Sequence, residues 1–514
     1  MKLKNIEFLR FLFALIIIEC HLPVLTSVYP DNPVFAAVQH HLTYAQLAVD
    51  FFFILSGFFF AYTFQPEQKV VSFIAHKVRR LWSVVAVAIV GYLILNAWGI
   101  SIYGENWVNY VYPLLFMDNI GVTFHHVGPT WYVSVFLLIS VFYFGLFRSF
   151  SYQSASWITG VLTWFAYVYL LNANNGWIEG YIEVKAGFLN LGLLRGLGGM
   201  GLGILLHGAW KSLPSMNKPH PILLTAVEAL TLGGLVYFMV LQTPAPQNDI
   251  LFIVGFVVLI GLFLLRGGLI SQALDKPFSV YLGRYAYSIY LTHILIIYAL
   301  LGTLWKTQGA FVQTHPLISL ASVFIAAILL GVVVYHLIEN PKNKLFRQLG
   351  AVRYKLIVLA VLLFAAAGPA WIIKNRPLKN NQTYAFSRPI PQLRINGLSF
   401  FENWGRWSDG QTVTFRFHQK KTQQTVLVLQ TDAFLTPERP FQKVAVWINN
   451  QPAGTWLFEY GKPLPETILP LPRKKDITIR FEIENPKSPK ELGLSRDNRQ
   501  VGIAFHNLTL RTQP

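Results

Sequence analysis

About eleven apolar segments, each close to the length that crosses a bilayer, fill most of the first 373 residues. They cover residues 8–27, 43–63, 81–99, 130–147, 156–172, 189–208, 221–241, 250–266, 281–304, 317–337 and 355–373. Only 13% of the chain is charged, against about 25% in soluble domains. The sequence therefore predicts a polytopic α-helical membrane protein with about 11 transmembrane helices.

The basic residues predict the orientation of these helices. If the N-terminus is cytoplasmic, almost all Lys and Arg of this region fall in or beside inner loops, and the outer loops before the last segment carry only Lys185 and Lys306. Cytoplasmic loops of membrane proteins are enriched in Lys and Arg. With an odd number of crossings, everything after Lys374 is expected outside the cytoplasm.

The net charge of +18 does not indicate a nucleic-acid partner. In the membrane region the basic residues are explained by topology. Beyond residue 373 they are scattered among acidic and aromatic residues, and the densest run is Arg473-Lys474-Lys475. That run is typical of a solvated loop, although a basic domain also suits an anionic glycan or a membrane surface.

The first apolar segment carries Arg10, Glu19 and His21. On a helix, Arg10 and His21 lie ~16 Å apart along the axis but only ~20° apart around it. An ionisable group in a bilayer costs about 3 kcal/mol or more, so both should face protein or a water-filled cavity. The alternatives are a functional pair and a buried structural network.

Further polar groups occur at the membrane segments or their borders. These are Asp50 and Ser56 on the second segment, Trp131 on the fourth, Arg195 on the sixth, His293 on the ninth and Glu339 at the inner end of the tenth. His293 should lie at a depth similar to that of His21, because it follows the inner-loop Arg284 by nine residues. Arg195 either snorkels to the outer surface or lines a cavity.

Lys77 and Arg80, in the first inner loop, share a helix face and suit a phosphate-bearing ligand, although topology alone also explains them. A histidine such as His21 can take a proton from a hydroxyl. The residues alone thus leave two interpretations open, an enzyme or a transporter that relays protons.

The remaining chain has a different pattern. Residues 375–395 are polar and predict a linker. Residues 396–514 alternate apolar and polar side chains, as in Val413-Thr-Phe-Arg-Phe417 and Ile477-Thr-Ile-Arg-Phe481. Short strands separated by turn residues predict an extracytoplasmic β-sandwich. Its Trp404, Trp407, Trp447 and Trp456 either fill the core or stack on sugars.

The chain from residue 1 to about 345 resembles the membrane-bound acyltransferase family 3. The resemblance rests on elements in the family's order: Arg10 with His21, Asp50 to Phe58, Trp131 to Ser134, Arg195 with its glycines, Tyr287 to His293, and Leu337 to Pro341. The family's inner-loop Arg-x-x-Arg is represented here by Lys77-Val-Arg79-Arg80. Lysine keeps the charge of arginine but loses its bidentate fork.

The resemblance implies transfer of an acyl group, usually acetyl from acetyl-CoA, to a sugar hydroxyl of an envelope polysaccharide or glycolipid. His21 would then be the catalytic base or acyl carrier, Arg10 would position it or the donor, and Lys77 and Arg80 would meet the CoA phosphates. Asp50, Ser56, Trp131, Arg195, His293 and Glu339 would line the cavity. No permanently bound cofactor and no metal are expected.

The predicted organisation is a membrane domain at 1–345, an additional transmembrane helix at 346–374, a linker at 375–395 and the β-sandwich at 396–514. The expected location is a bacterial inner membrane, with lipids, acyl-CoA and a glycan acceptor as partners. The alternatives are a transporter of an acyl donor or lipid-linked sugar, and a membrane-anchored carbohydrate-binding protein.

Overall fold

The computed structural model of the chain divides into two compact units, Met1–Tyr92 with Asn106–Ala360 and Leu93–Glu105 with Val361–Pro514. The residues that the structure describes are 3–22, 29, 31–41, 46–97, 108–118, 120, 128–174, 176–178, 184–186, 189–212, 220–241, 248–302, 309–341, 350, 354, 377–387, 390, 392–399, 402, 404–419, 424–462, 467–492, 497 and 499–512.

The first unit is helical. Its helices are α1 (Lys4–His21), α2 (Pro33–His41), α3 (Ala48–Thr63), α4 (Val70–Ala97), α5 (Val108–Leu114), α6 (Thr130–Ser149), α7 (Tyr152–Ala173), α8 (Leu191–Ser212), α9 (Pro221–Leu241), α10 (Asn248–Leu265), α11 (Leu269–Ala273), α12 (Pro277–Gly283), α13 (Ala286–Gly302), α14 (Gly309–Thr314) and α15 (Pro316–Val334). A π-helical turn, Tyr335–Glu339, continues α15. The short strands β1 (Val184–Ala186) and β2 (Leu189–Asn190) pair between α7 and α8.

Seven of the described helices are long and apolar enough to cross a membrane, namely α4, α6, α7, α8, α9, α10 and α15 with its π turn. Helices α3 and α13 are apolar but shorter. This chain is a multi-pass membrane protein, as the sequence predicts. The predicted last span at 355–373 lies outside the described residues, as does almost all of the predicted additional helix at 346–374.

The outer surface of the helical unit is apolar where a bilayer would contact it. On α7, exposed fractions reach 73% for Trp157, 63% for Val161 and 67% for Trp164. Residues three and four apart lie on one helix face, so these side chains form an apolar stripe. In a bilayer, lipid chains would contact such a stripe, and the helix satisfies its own backbone hydrogen bonds.

Glycines allow helices α3 and α8 to approach closely. A Cβ at Gly57 would overlap the carbonyl of Met200, and a Cβ at Gly203 would overlap the carbonyl of Ile54. Small residues at an interface let helix backbones pack tightly in a membrane. This contact brings the polar positions of α3 and α8 face to face.

The second unit is a β domain. Its strands are β3 (Thr383–Ala385), β4 (Leu393–Asn396), β5 (Arg406–Trp407), β6 (Thr412–His418), β7 (Thr425–Ala433), β8 (Phe441–Ile448), β9 (Gln451–Glu459), β10 (Thr467–Pro470), β11 (Asp476–Ile483) and β12 (Ile503–Thr512). One antiparallel sheet has the order β10-β7-β12-β3, with β5 also paired to β12, and the other has the order β4-β6-β11-β8-β9.

The two sheets share one hydrophobic core. The alternate residues Val413, Phe415 and Phe417 of β6 belong to the same buried cluster as Leu427 and Leu429 of β7. Side chains alternate between the faces of a strand, so the period-two pattern in the sequence identifies the core face. The predicted C-terminal β domain is confirmed.

The predicted linker at 375–395 is wrong in its extent. Strand β3 lies inside it, and Tyr384 and Phe386 belong to the core of the β domain. The strand was missed because only three residues form it, too few to show an alternating pattern.

Candidate active site

Two histidines meet between helices α1 and α13. His293 Nε2 lies 3.2 Å from His21 Nδ1, and the two rings have their centroids 4.9 Å apart. His293 is fully buried, whereas His21, in the last turn of α1, is only partly buried. The sequence predicted that both lie at a similar depth, and the contact confirms it.

Backbone carbonyls define the protonation of this pair. His21 Nδ1 lies 2.9 Å from the carbonyl of Ile17, and His293 Nδ1 lies 2.6 Å from that of Tyr290. A carbonyl only accepts hydrogen bonds, so each Nδ1 carries the proton of its neutral ring. His21 Nδ1–H is then shared between the carbonyl of Ile17 and His293 Nε2, which is the acceptor nitrogen of its ring. The basic nitrogen of His21 is Nε2, on the far side of its ring.

Aromatic residues extend from the histidines towards α3 and α6. The Tyr290 ring lies 6.3 Å from His293 and 5.5 Å from Tyr132, measured between centroids. The Tyr132 hydroxyl lies 3.2 Å from Ser56 Oγ. Ser56, a predicted cavity residue, therefore contributes to a polar contact inside the bundle.

A second region of the site is a cavity of about 460 Å³ rich in arginine. The charged side chains that line it are Arg10, Arg79, Arg80, Arg284, Glu7 and Glu339. Arg10 Nη1 donates to Glu7 Oε2 at 2.8 Å, and Glu339 Oε2 accepts from Ser288 Oγ at 2.6 Å. Four guanidinium groups against two carboxylates leave the lining with a net positive charge, which suits an anionic ligand.

Helix α1 connects the two regions. Arg10 lines the cavity and His21 contacts His293, eleven residues further along. That spacing is ~16 Å along the helix axis. The histidines therefore lie deep in the unit relative to the cavity.

A buried ion pair joins helices α3 and α8. Arg195 Nη2 lies 2.5 Å from Asp50 Oδ2, and Arg195 Nε lies 3.2 Å from Asp50 Oδ1. The guanidinium also lies 5.6 Å from the ring of the buried Trp131. Both charged side chains are almost fully inaccessible. Arg195 thus does not snorkel, because its charge is neutralised inside the protein.

The profile of a family described as an acyltransferase domain matches residues 3–336. The chain belongs to the acyltransferase-3 family. A second profile, of a domain of unknown function (DUF7024), matches residues 380–512. No curated protein and no solved structure matches the chain. The family assignment supports an acyl-transfer role for the membrane unit.

The structure brings most of the predicted site residues of this acyltransferase into three groups. Arg10, Arg80 and Glu339 share the cavity, His21 and His293 form the pair, and Asp50, Arg195 and Trp131 form the buried cluster. Ser56 lies on Tyr132.

Lys77 does not line the arginine cavity. Its Nζ lies 4.5 Å from the ring centroid of Phe136 and 5.1 Å from that of Phe73, which is cation–π geometry. Arg79, adjacent to Arg80, lines the cavity instead, together with Arg284. Arg79 belongs to the inner-loop element Lys77-Val-Arg79-Arg80. The sequence predicts Lys77 as the phosphate ligand instead, because its i, i+3 spacing places it on the same helix face as Arg80.

The Asp50–Arg195 ion pair leads to a prediction about the stability of its variants. Asp50→Leu alone or Arg195→Met alone leaves a buried charge without its partner, and we expect each to cost about 3–5 kcal/mol of stability. The double variant removes both charges and should recover most of that loss. Thermal denaturation of the purified protein in detergent measures the effect.

A matched control is Arg266→Met, which breaks a partly exposed ion pair with Asp275. It should cost less than about 1 kcal/mol. If the double variant loses as much stability as the two single variants together, the ion pair does not explain why these buried charges are tolerated.

Proposed function

We propose that this protein is an integral-membrane O-acyltransferase. It moves an acetyl group from cytoplasmic acetyl-CoA to a sugar hydroxyl of an envelope polysaccharide or glycolipid. The observation that carries the proposal is the contact between His21 and His293, set deep beside an arginine-lined cavity in a chain of the acyltransferase-3 family.

The arginine cavity is the proposed donor entrance. The guanidinium fork of arginine matches phosphate oxygens in a bidentate geometry. Arg79 and Arg80 are the exposed arginines of the lining, so they would contact the phosphates of CoA first. The long pantetheine arm would then carry the thioester along α1 towards His21. Arg10, paired with Glu7, would position the donor between the two ends.

His21 is the proposed general base. Its Nε2 accepts the proton of the acceptor hydroxyl while that oxygen attacks the thioester carbonyl carbon. The C–S bond then breaks, and the proton passes from Nε2 to the departing sulfur. The products are the O-acetyl ester and CoA as the free thiol, and His21 returns to its neutral form.

His293 is the proposed positioning residue for His21. Its Nε2 accepts from His21 Nδ1–H, which keeps that proton in place and supports the positive charge when Nε2 is protonated. In many hydrolases a carboxylate fills this role. Here the Nδ1 contacts of His21 in the described part of the chain are with Cys20 Sγ, the carbonyl of Ile17 and His293, and Asp50 is engaged with Arg195.

The proposed topology has about eleven crossings, because the apolar segments approach spanning length. The N-terminus is cytoplasmic, by the distribution of Lys and Arg. The β domain, a β-sandwich in this proposal, would be extracytoplasmic, in a bacterial inner membrane. That location would give the domain access to envelope glycans.

The catalytic assignment predicts that His21→Ala abolishes acyl transfer. The loss should exceed about a hundredfold, because general-base catalysis contributes that much or more. Purified protein in proteoliposomes, with radiolabelled acetyl-CoA and an extracted glycan fraction, measures the transfer. His220→Ala is the matched control, because His220 is exposed and lies outside both regions of the site. Transfer that survives His21→Ala contradicts the assignment.

If the arginine cavity binds the donor, the KM for acetyl-CoA should respond differently to substitutions of neighbouring residues of α4. Arg79→Ser and Arg80→Ser should each raise KM for acetyl-CoA about tenfold, the loss of one charge-assisted contact. Lys77→Met keeps the packing on Phe136 and should change KM less than about twofold. Steady-state kinetics at saturating acceptor provides the comparison. An equal rise for Lys77→Met would move the donor phosphates away from the cavity.

A further inference from the structure

The solvent-facing side of one sheet in the β domain carries three arginines and a tryptophan on neighbouring strands. In the sheet β4-β6-β11-β8-β9, the residues that alternate with the core point outward. Arg394 on β4, Arg416 on β6, Arg480 on β11 and Trp447 on β8 are outward residues, because their sequence neighbours Leu393, Phe415, Ile479 and Val446 belong to the buried cluster. These four residues are called the Arg–Trp face.

Arg394 and Arg416 are directly opposite each other on adjacent strands. Residues paired in this way have Cβ atoms ~5 Å apart, and like charges there are destabilising. Both side chains are exposed, and no carboxylate forms an ion pair with either within the described part of the chain. The two guanidinium groups therefore form a site whose charge an anion would neutralise.

Arg480 and Trp447 lie beside this pair. Arg480 is opposite Trp447 on one side and Thr414 on the other. Its guanidinium carbon lies 5.2 Å from the Trp447 ring centroid, and Glu482 accepts from Trp447 Nε1 at 3.0 Å. Glu482 also forms an ion pair with Arg480, whose Nη2 lies 3.2 Å from Glu482 Oε1. Glu482 thus anchors both the partly exposed indole and Arg480, and the unneutralised charge of the face is that of Arg394 and Arg416.

Small polar side chains complete the surface between the arginines. Thr478 is opposite Arg416, and Asn396 is opposite Thr414, so hydroxyl and amide groups alternate with the arginines along each strand. These groups bond sugar hydroxyls, and an aromatic face packs on the apolar face of a sugar ring. The exposed apolar side chains Phe441 and Leu457 lie further along the sheet, three and two outward-facing rows from Trp447 respectively.

We propose that the Arg–Trp face binds an acidic polysaccharide. The carboxylate or phosphate groups of the glycan lie against Arg394 and Arg416, and a neighbouring sugar ring packs on Trp447. An anionic lipid surface would also satisfy the cations, but it makes no use of a flat ring set among hydroxyl and amide groups. The domain at 380–512 would thus be a binding domain for acidic glycans. This binding does not depend on acyl transfer.

The test uses the full chain in detergent, without an acyl donor. The probes are polygalacturonate as the acidic glycan, dextran as the neutral glycan, and phosphatidylglycerol vesicles. Affinity is measured by biolayer interferometry at low and at physiological salt. We expect binding of polygalacturonate that weakens with salt, and no comparable binding of dextran or vesicles.

Two variants and one control separate a specific face from bulk charge. Arg394→Ser/Arg416→Ser should weaken polygalacturonate binding by about tenfold or more, and Trp447→Ala by about fivefold. Lys490→Ser/Arg511→Ser removes the same charge from residues outside the Arg–Trp face and should change binding less than twofold. The arginine variant relieves a like-charge pair, so its thermal midpoint should not fall.

Three results would overturn the proposal. Equal weakening in the Lys490→Ser/Arg511→Ser control would show that only net charge matters. Dextran binding as strong as that of polygalacturonate would show that the face does not require an anionic glycan. Binding of vesicles but not of polygalacturonate would make the face a membrane contact. None of these results bears on acyl transfer by the membrane unit, which is assayed separately.

Discussion

The constraint on which the membrane unit depends is the cost of polar groups in an apolar bundle. Each such group must find a partner inside the protein. The histidines meet this demand through carbonyls of their own helices, Ile17 for His21 and Tyr290 for His293. Asp50 and Arg195 meet it through each other. Because these partners are fixed, the orientations of the rings and the guanidinium are fixed as well, and that fixed geometry is what acid–base chemistry needs.

The same helix serves both ends of the proposed reaction. Helix α1 presents Arg10 to an arginine-lined cavity and His21 to His293. Its rigidity sets the distance between them at ~16 Å. The close packing of α3 on α8, which Gly57 and Gly203 permit, holds the buried ion pair. The proposed donor entry, the proposed acceptor activation and the buried ion pair are therefore separate regions of one bundle.

Local patterns in the sequence predicted much of this arrangement, and long-range contacts account for the rest. Spacing alone put Arg10 and His21 on one stripe, and alternation alone located most of the β domain. The partner of Arg195 is 145 residues away in sequence, so no local pattern identifies it as Asp50. Lys77 shares a face with Arg80 by spacing, yet Phe136 from α6 draws it away from the cavity. Strand β3 was too short to predict, although Tyr384 and Phe386 lie in the core.

The central claim is that a donor held at the arginine cavity reaches the histidine pair. An experimental structure with a non-hydrolysable acetyl-CoA analogue tests it most directly. The account predicts the phosphates of the analogue on Arg79 and Arg80, and its carbonyl carbon within ~4 Å of where a hydroxyl bonded to His21 Nε2 would lie, near attack distance. An analogue whose reactive end lies beyond that distance, or whose phosphates lie away from these arginines, would contradict it.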